Sequence, residues 1–208
     1  MWWKILISVA AAYLIGSVSA GIIVSKTFAG IDIRKEGSGN IGMTNVMRTL
    51  GWFPSAVVLA GDALKGILAA LIGKWLGGEA GMLAAGLAAV IGHNWPIWYN
   101  FKGGKGMSTS LGAIFVIDWR IALVLLGLQA VILLVTRTMS IASLATSLFY
   151  VGLTILWHNN ALYIVFAAVM AAMAIFCHRS NIKRLAEKRE NKLDFEKIDE
   201  ISRKRMKK

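Results

Sequence analysis

Residues Gly37 to Gly51 read GSGNIGMTNVMRTLG and lie between two long apolar runs. Glycines at 37, 39 and 42 let the backbone take positive φ and come close to a ligand. Successive free N–H groups in such a turn form a concave, partly positive nest that suits phosphate oxygens. Ser38, Asn40, Thr44 and Asn45 add hydrogen-bonding side chains, and Arg48 adds a planar fork matched to phosphate. A helix starting at Met43 would point its first N–H groups at the same place.

A second cluster, GHNWPIWYNFKGGKGMSTS, runs from Gly92 to Ser110. It fails as a Walker A loop, because Lys105 is followed by Gly106 and no glycine stands five residues before Gly104. Gly103, Gly104 and Gly106 still allow close backbone approach, with Lys105 as a point charge. His93 is open to two readings, a satisfied buried histidine or a member of the site. His178 and Asn181 share one helical face at the end of the last apolar run. Ser140, Ser143, Thr146 and Ser147 have the spacing of helix-packing positions. GSGNIG also fits the dinucleotide fingerprint with Asp62 about twenty residues on, but that fingerprint needs a preceding strand, and here the flanks are apolar spans. No metal-binding motif is present, so neither metal nor cofactor is expected.

The elements that must carry these residues are membrane helices. The chain has 208 residues, 57% of them hydrophobic and 16% charged. Seven apolar segments can be marked: Ile5–Val24, Trp52–Ile72, Ala80–Trp98, Gly106–Ile117, Ile121–Thr136, Thr138–Trp157 and Ala161–Cys177. The fourth would cover only about 18 Å of a core roughly 30 Å thick. The first runs on past the small-residue site at Val18-Ser19-Ala20, which reads as an uncleaved helix and not a signal peptide. With the N-terminus outside and every segment crossing, the inner loops carry Lys26, Arg34, Lys35, Arg48, Lys102, Lys105 and Arg137, and the outer side only Lys4, Lys74 and Arg120. The expectation is an all-α bundle of about seven transmembrane helices, N-terminus outside, C-terminus cytoplasmic and fourth helix short.

Residues 1–178 are expected to form the transmembrane catalytic domain. Residues 179–208 form a basic cytoplasmic tail, read beyond Asn181 as a surface helix or partly disordered and outside the site. The net charge of +12 points to anionic lipid and inner loops and not to nucleic acid. Asp62 and Lys65, at i and i+3 within a span, can pair on one face, as a tether between helices or as a substrate contact. On physical grounds the residues reach a phosphate-handling membrane protein. A transporter for a phosphorylated metabolite and a lipid-binding scaffold are the rival classes, and seven spans without a repeat argue against the first.

GSGNIGMTNVMRTLG (37–51), GHNWPIWYNFKGGKGMSTSLG (92–112), SIASL (140–144) and HRSNIKRL (178–185) resemble the bacterial acyl-phosphate-dependent glycerol-3-phosphate acyltransferases, the PlsY family. That resemblance implies a multi-pass enzyme of the bacterial cytoplasmic membrane with its site facing the cytoplasm, first in phospholipid synthesis. It would move a fatty acyl group from acyl phosphate to the 1-hydroxyl of sn-glycerol 3-phosphate, giving lysophosphatidic acid and phosphate. Ser38, Arg48, Lys105 and Ser143 would hold glycerol 3-phosphate, with His178 and Asn181 near its glycerol end. The backbone from Gly42 to Thr44, with Asn40 and Asn45 beside it, and Gly103, Gly104 and Gly106 would cradle the acyl phosphate. Its partners are the two substrates and membrane lipids, and a monomer is the expectation. One departure stands out: the family commonly follows the last motif with Gly-x-Glu, and here Lys188 precedes Arg189-Glu190.

Overall fold

A computed structural model of the chain describes residues 2–206, and every regular element among them is helical. The first apolar run holds two helices, α1 (Trp2–Ser17) and α2 (Ala20–Ala29), where the sequence predicts one. Ser19 makes the break: its extended backbone lets its side-chain oxygen accept from the N–H of Ile22 at 3.2 Å and restart the helix. The carbonyl of Val18 at that break accepts from Lys65 Nζ at 2.9 Å.

After the glycine stretch come α3 (Met43–Leu50) and α4 (Trp52–Asn94). α4 folds back at Gly78, whose φ of 63° and ψ of −147° suit only a residue without Cβ. Its two arms are the second and third predicted segments. α1 lies close along α4: a Cβ on Gly16 would stand 2.1 Å from the Ala89 carbonyl oxygen, and one on Gly92 2.2 Å from that of Tyr13. Ala12, Ala85, Ala88 and Ala89 fill the seam. Small residues that bring backbones together are how helices associate where lipid removes the hydrophobic driving force.

The other half comprises α5 (Met107–Ile117), α6 (Trp119–Thr136), α7 (Met139–His158) and α8 (Ala161–Cys177). α5 has the predicted shortness, at 11 residues. Ile114, Leu125, Tyr150, Phe166 and Met170 close a buried core among these four helices. Leu134, Val135, Leu156 and Val165 point outward, as a lipid-facing surface allows. The chain then bends by 61° into α9 (Arg179–Ala186) and ends in α10 (Phe195–Met206). Among the described residues four helical runs are long and apolar enough to cross a bilayer, or five with the bent α8–α9 pair taken as one, and the chain is a multi-pass membrane protein.

The end of the tail is a surface helix, one of its two expected forms, and its docking is the part the composition did not show. Leu193 and Ile198, each 2% exposed, pack on Met47 of α3, so α10 is docked on the bundle. Those apolar positions are too few and too far apart to outweigh the flanking charges in a composition-based reading.

Candidate active site

The glycine stretch folds around Asn45 in the first turn of α3. Its side-chain oxygen accepts from the N–H of Ser38 at 2.9 Å, and its amide nitrogen donates to the carbonyls of Ile33, Glu36 and Asn40 at 3.2, 2.9 and 2.9 Å. Asn40 braces the same turn, its Oδ1 accepting from the N–H of Gly42 at 2.9 Å. The sequence reading gave both asparagines to the substrate. The structure commits Asn45, and the side-chain oxygen of Asn40, to the turn, because a glycine-rich loop has few other means of holding its shape.

The braced turn leaves the N-terminus of α3 open, with no side chain capping it. The N-termini of α5, after Gly106, and of α9, after His178, are likewise uncapped. Met43 and Thr44, Met107 and Ser108, and Ser180 and Asn181 all line one cavity of about 410 Å³. Three helix starts therefore present unsatisfied N–H groups and positive dipole ends to a shared space.

Side-chain charge agrees with this. Arg48, Lys105 and Arg184 face the cavity against the carboxylate of Glu190, while the other lining carboxylate, Asp62, is paired with Lys65. Lys105 Nζ donates to Asn181 Oδ1, and Asn181 Nδ2 donates to Glu190 Oε1 at 2.6 Å. Glu190 also accepts from Ser140 Oγ at 3.0 Å and from Arg184 Nε at 2.7 Å. Burial would raise the Glu190 pKa, but these hydrogen bonds and the charge of Arg184 outweigh it and hold the group below its usual range. Burial pushes Lys105 down to about 8; Glu190 opposes that shift, and Arg184 and Arg48 add to it. Arg48 donates from Nη2 to the Asn191 carbonyl at 2.9 Å, while its Nε is buried without a protein partner. An unpartnered guanidinium N–H in a cationic cavity is suited to an anion.

His178 Nδ1 lies 2.8 Å from the Ala174 carbonyl oxygen. A carbonyl only accepts, so Nδ1 carries a proton and the lone pair of the neutral ring is on Nε2. Ser143 lines the wall beside Gln129, whose Oε1 accepts from Thr146 Oγ1 at 2.8 Å. Away from the charges, Leu111, Ile114, Leu125, Tyr150 and Met170 make the lining apolar.

Of the residues singled out in the sequence, Ser38, Asn40, Gly42, Thr44, Asn45, Arg48, Lys105, Gly106, Ser143, His178 and Asn181 meet on this cavity. Gly103 and Gly104 lie behind its wall. A Cβ on Gly103 would stand 2.1 Å from the His93 carbonyl oxygen, and one on Gly104 2.0 Å from His93 Nε2. They let the lysine loop press onto the end of α4. His93 lines the cavity with Asp62, and Lys65 Nζ lies 2.9 Å from Asp62 Oδ1 and 2.8 Å from His93 Nδ1. Sequence reasoning left out Gln129, Arg184, Glu190 and Asn191. A lone amide in the apolar run 121–136 was the available signal for Gln129. Glu190 was visible only as a remnant of Gly-x-Glu, and Lys188 itself takes the left-handed conformation at the position of the missing glycine, φ 54°.

Comparison with known proteins points the same way. The family model described as glycerol-3-phosphate acyltransferase matches residues 6–188. A glycerol-3-phosphate acyltransferase of Thermoanaerobacter sp. (strain X514) is 43% identical over 182 residues, covering 88% of this chain and 92% of that protein. Glycerol-3-phosphate acyltransferase 2 of Moorella thermoacetica is 40% identical over 193 residues, covering 93% and 98%. The crystal structure of PlsY (YgiH), an integral membrane glycerol 3-phosphate acyltransferase, in its glycerol 3-phosphate form superposes with a TM-score of 0.87 at 36% identity, covering 91% of this chain and 96% of that one. A structure of the same protein in its lysophosphatidic acid form gives 0.86 at 35% identity, covering 93% and 97%. On the family model that matches residues 6–188, the shared fold, and relatives 43% and 40% identical over most of the chain, the chain belongs to the PlsY family of glycerol-3-phosphate acyltransferases.

Proposed function

We propose that this cavity transfers a fatty acyl group from acyl phosphate to the 1-hydroxyl of sn-glycerol 3-phosphate, releasing lysophosphatidic acid and inorganic phosphate. The observation that carries the reading is the convergence of three uncapped helix N-termini with Arg48, Lys105 and Arg184 on a cavity that also has an apolar wall. Two phosphate-bearing reactants repel each other, and such an array offsets that repulsion while the apolar part holds an acyl chain.

Ser38, Arg48, Lys105 and Ser143 hold glycerol 3-phosphate, and Asn181 keeps Lys105 aimed at it. The N–H groups of Met43 and Thr44 and those after Gly106 cradle the acyl phosphate. The glycerol oxygen attacks the acyl carbonyl carbon, the bond from that carbon to the phosphate oxygen breaks, and phosphate leaves with the electron pair. The hydroxyl proton passes to His178 Nε2 or to a phosphate oxygen of the substrate. Because phosphate is a good leaving group, positioning and charge compensation supply most of the rate. His178→Ala with a near-normal kcat would assign the proton to the phosphate.

The same reading has seven crossings, with α4 crossing twice and α5 as the short one, N-terminus outside and C-terminus in the cytoplasm of a bacterial inner membrane. The catalytic unit then extends through Asn191, and a monomer contains the whole site. The test is purified protein in detergent given acyl phosphate and glycerol 3-phosphate, with phosphate release and lysophosphatidic acid measured together. Equal amounts of both are expected. Product from acyl-CoA but not from acyl phosphate would overturn the donor, and no product from any donor would overturn the reaction.

A further inference from the structure

The family match ends at residue 188, and the helix beyond it is tied to the corner between α3 and α4. Trp52 Nε1 donates to Asp199 Oδ1 at 2.6 Å, and the Trp52 ring stacks on Phe195 with centroids 6.0 Å apart. The Trp52 N–H, first in α4, donates to Ser202 Oγ at 3.0 Å. Gly51, the cap residue of α4, has no side chain for this, so Ser202 caps α4 from another helix. On the way to α10, the Asn191 carbonyl accepts from Arg48, and Leu193 and Ile198 cover Met47.

With eight residues, α3 is too short to persist without tertiary support. Its start is fixed by the Asn45 turn and its inner face by Ile33, Ile41 and Val58. The end that carries Arg48 is the part held by the tail. We infer that α10 is a strap that positions the C-terminal turn of α3, with Asp199 and Ser202 as positioning residues that do not themselves line the cavity. By keeping Arg48 in place, the strap tightens binding of the anionic acceptor in particular. The kinetic part of this inference rests on the reaction proposed above.

The test uses the full-length protein with Asp199→Ala/Ser202→Ala together, and Asp199→Asn alone. Amide exchange over residues 43–50 should quicken about tenfold in the double variant. KM for glycerol 3-phosphate should rise about three- to tenfold, with KM for acyl phosphate and kcat within twofold. Asp199→Asn keeps an oxygen to accept from the Trp52 indole and should behave like the parent. Unchanged exchange in the double variant, equal rises in both KM values, or an Asn variant that matches alanine would each overturn the strap. Failure of the proposed reaction would instead show as an unaltered protein that makes no lysophosphatidic acid, and the exchange measurement would then decide the strap by itself.

Discussion

Lys105, in the loop before α5, donates a hydrogen bond to Asn181 on α9, 76 positions later in the chain. Asn181 is in turn held by Glu190, so the charge of one glycine loop is aimed by the tail. Under the proposed function this relay separates Lys105, which would meet the anion, from Asn181 and Glu190, which hold it, and it sets which substitutions should affect binding.

Arg48 brings a fork whose Nη2 is anchored and whose Nε is free. Lysine in its place keeps the charge but cannot make both contacts. Arg48→Lys should lower kcat/KM for glycerol 3-phosphate on the order of 100-fold, about 2.7 kcal/mol of transition-state stabilisation. An unchanged value in steady-state kinetics would remove Arg48 from the acceptor site.

Lys105 sets an alkaline limit. With its pKa lowered to about 8, the free enzyme loses this cation as pH rises through 8, so kcat/KM for glycerol 3-phosphate should fall about tenfold per unit above that point. Arginine at 105 should shift the fall to higher pH. Stability runs the opposite way. Between pH 8 and 10.5 the unfolded chain holds more protons at this site than the folded one, so thermal stability of the substrate-free protein gains from this group as pH rises through that window. A pH profile of rate beside one of melting temperature checks both signs.

Asn45→Ala removes the hub of the first loop without touching a charge. Four backbone groups lose their partner, and the start of α3 loses its fixed position. We expect KM to rise at least tenfold for both substrates, in contrast to the acceptor-selective effect of Arg48→Lys. A KM change confined to one substrate would contradict the bracing role.

Lys188 stands at φ 54°, a conformation that disfavours a side chain by about 1 kcal/mol. Lys188→Gly should raise the melting temperature by no more than about 2 °C, because glycine's extra unfolded-state entropy offsets at least half of the relieved strain. Phosphate release by the variant should match the parent.

The sequence by itself determined which segments are apolar, where the two glycine-and-cation loops lie, and that Asp62 and Lys65 share a face on which they can pair, because hydropathy, turn chemistry and an i, i+3 spacing are local properties. Only the tertiary structure decided that the helix starts at Met43, Met107 and Arg179 open into one cavity, and that Glu190 and Asn191 complete its wall. It also decided that Asn45 serves the loop, that Gly103 and Gly104 lie behind the wall against His93, and that α10 is docked on Trp52. Each of these depends on how residues far apart in the chain are brought together. Asn45 and Gly104 have the same composition and local spacing whether they face a ligand or a carbonyl of their own chain, and packing alone separates the two.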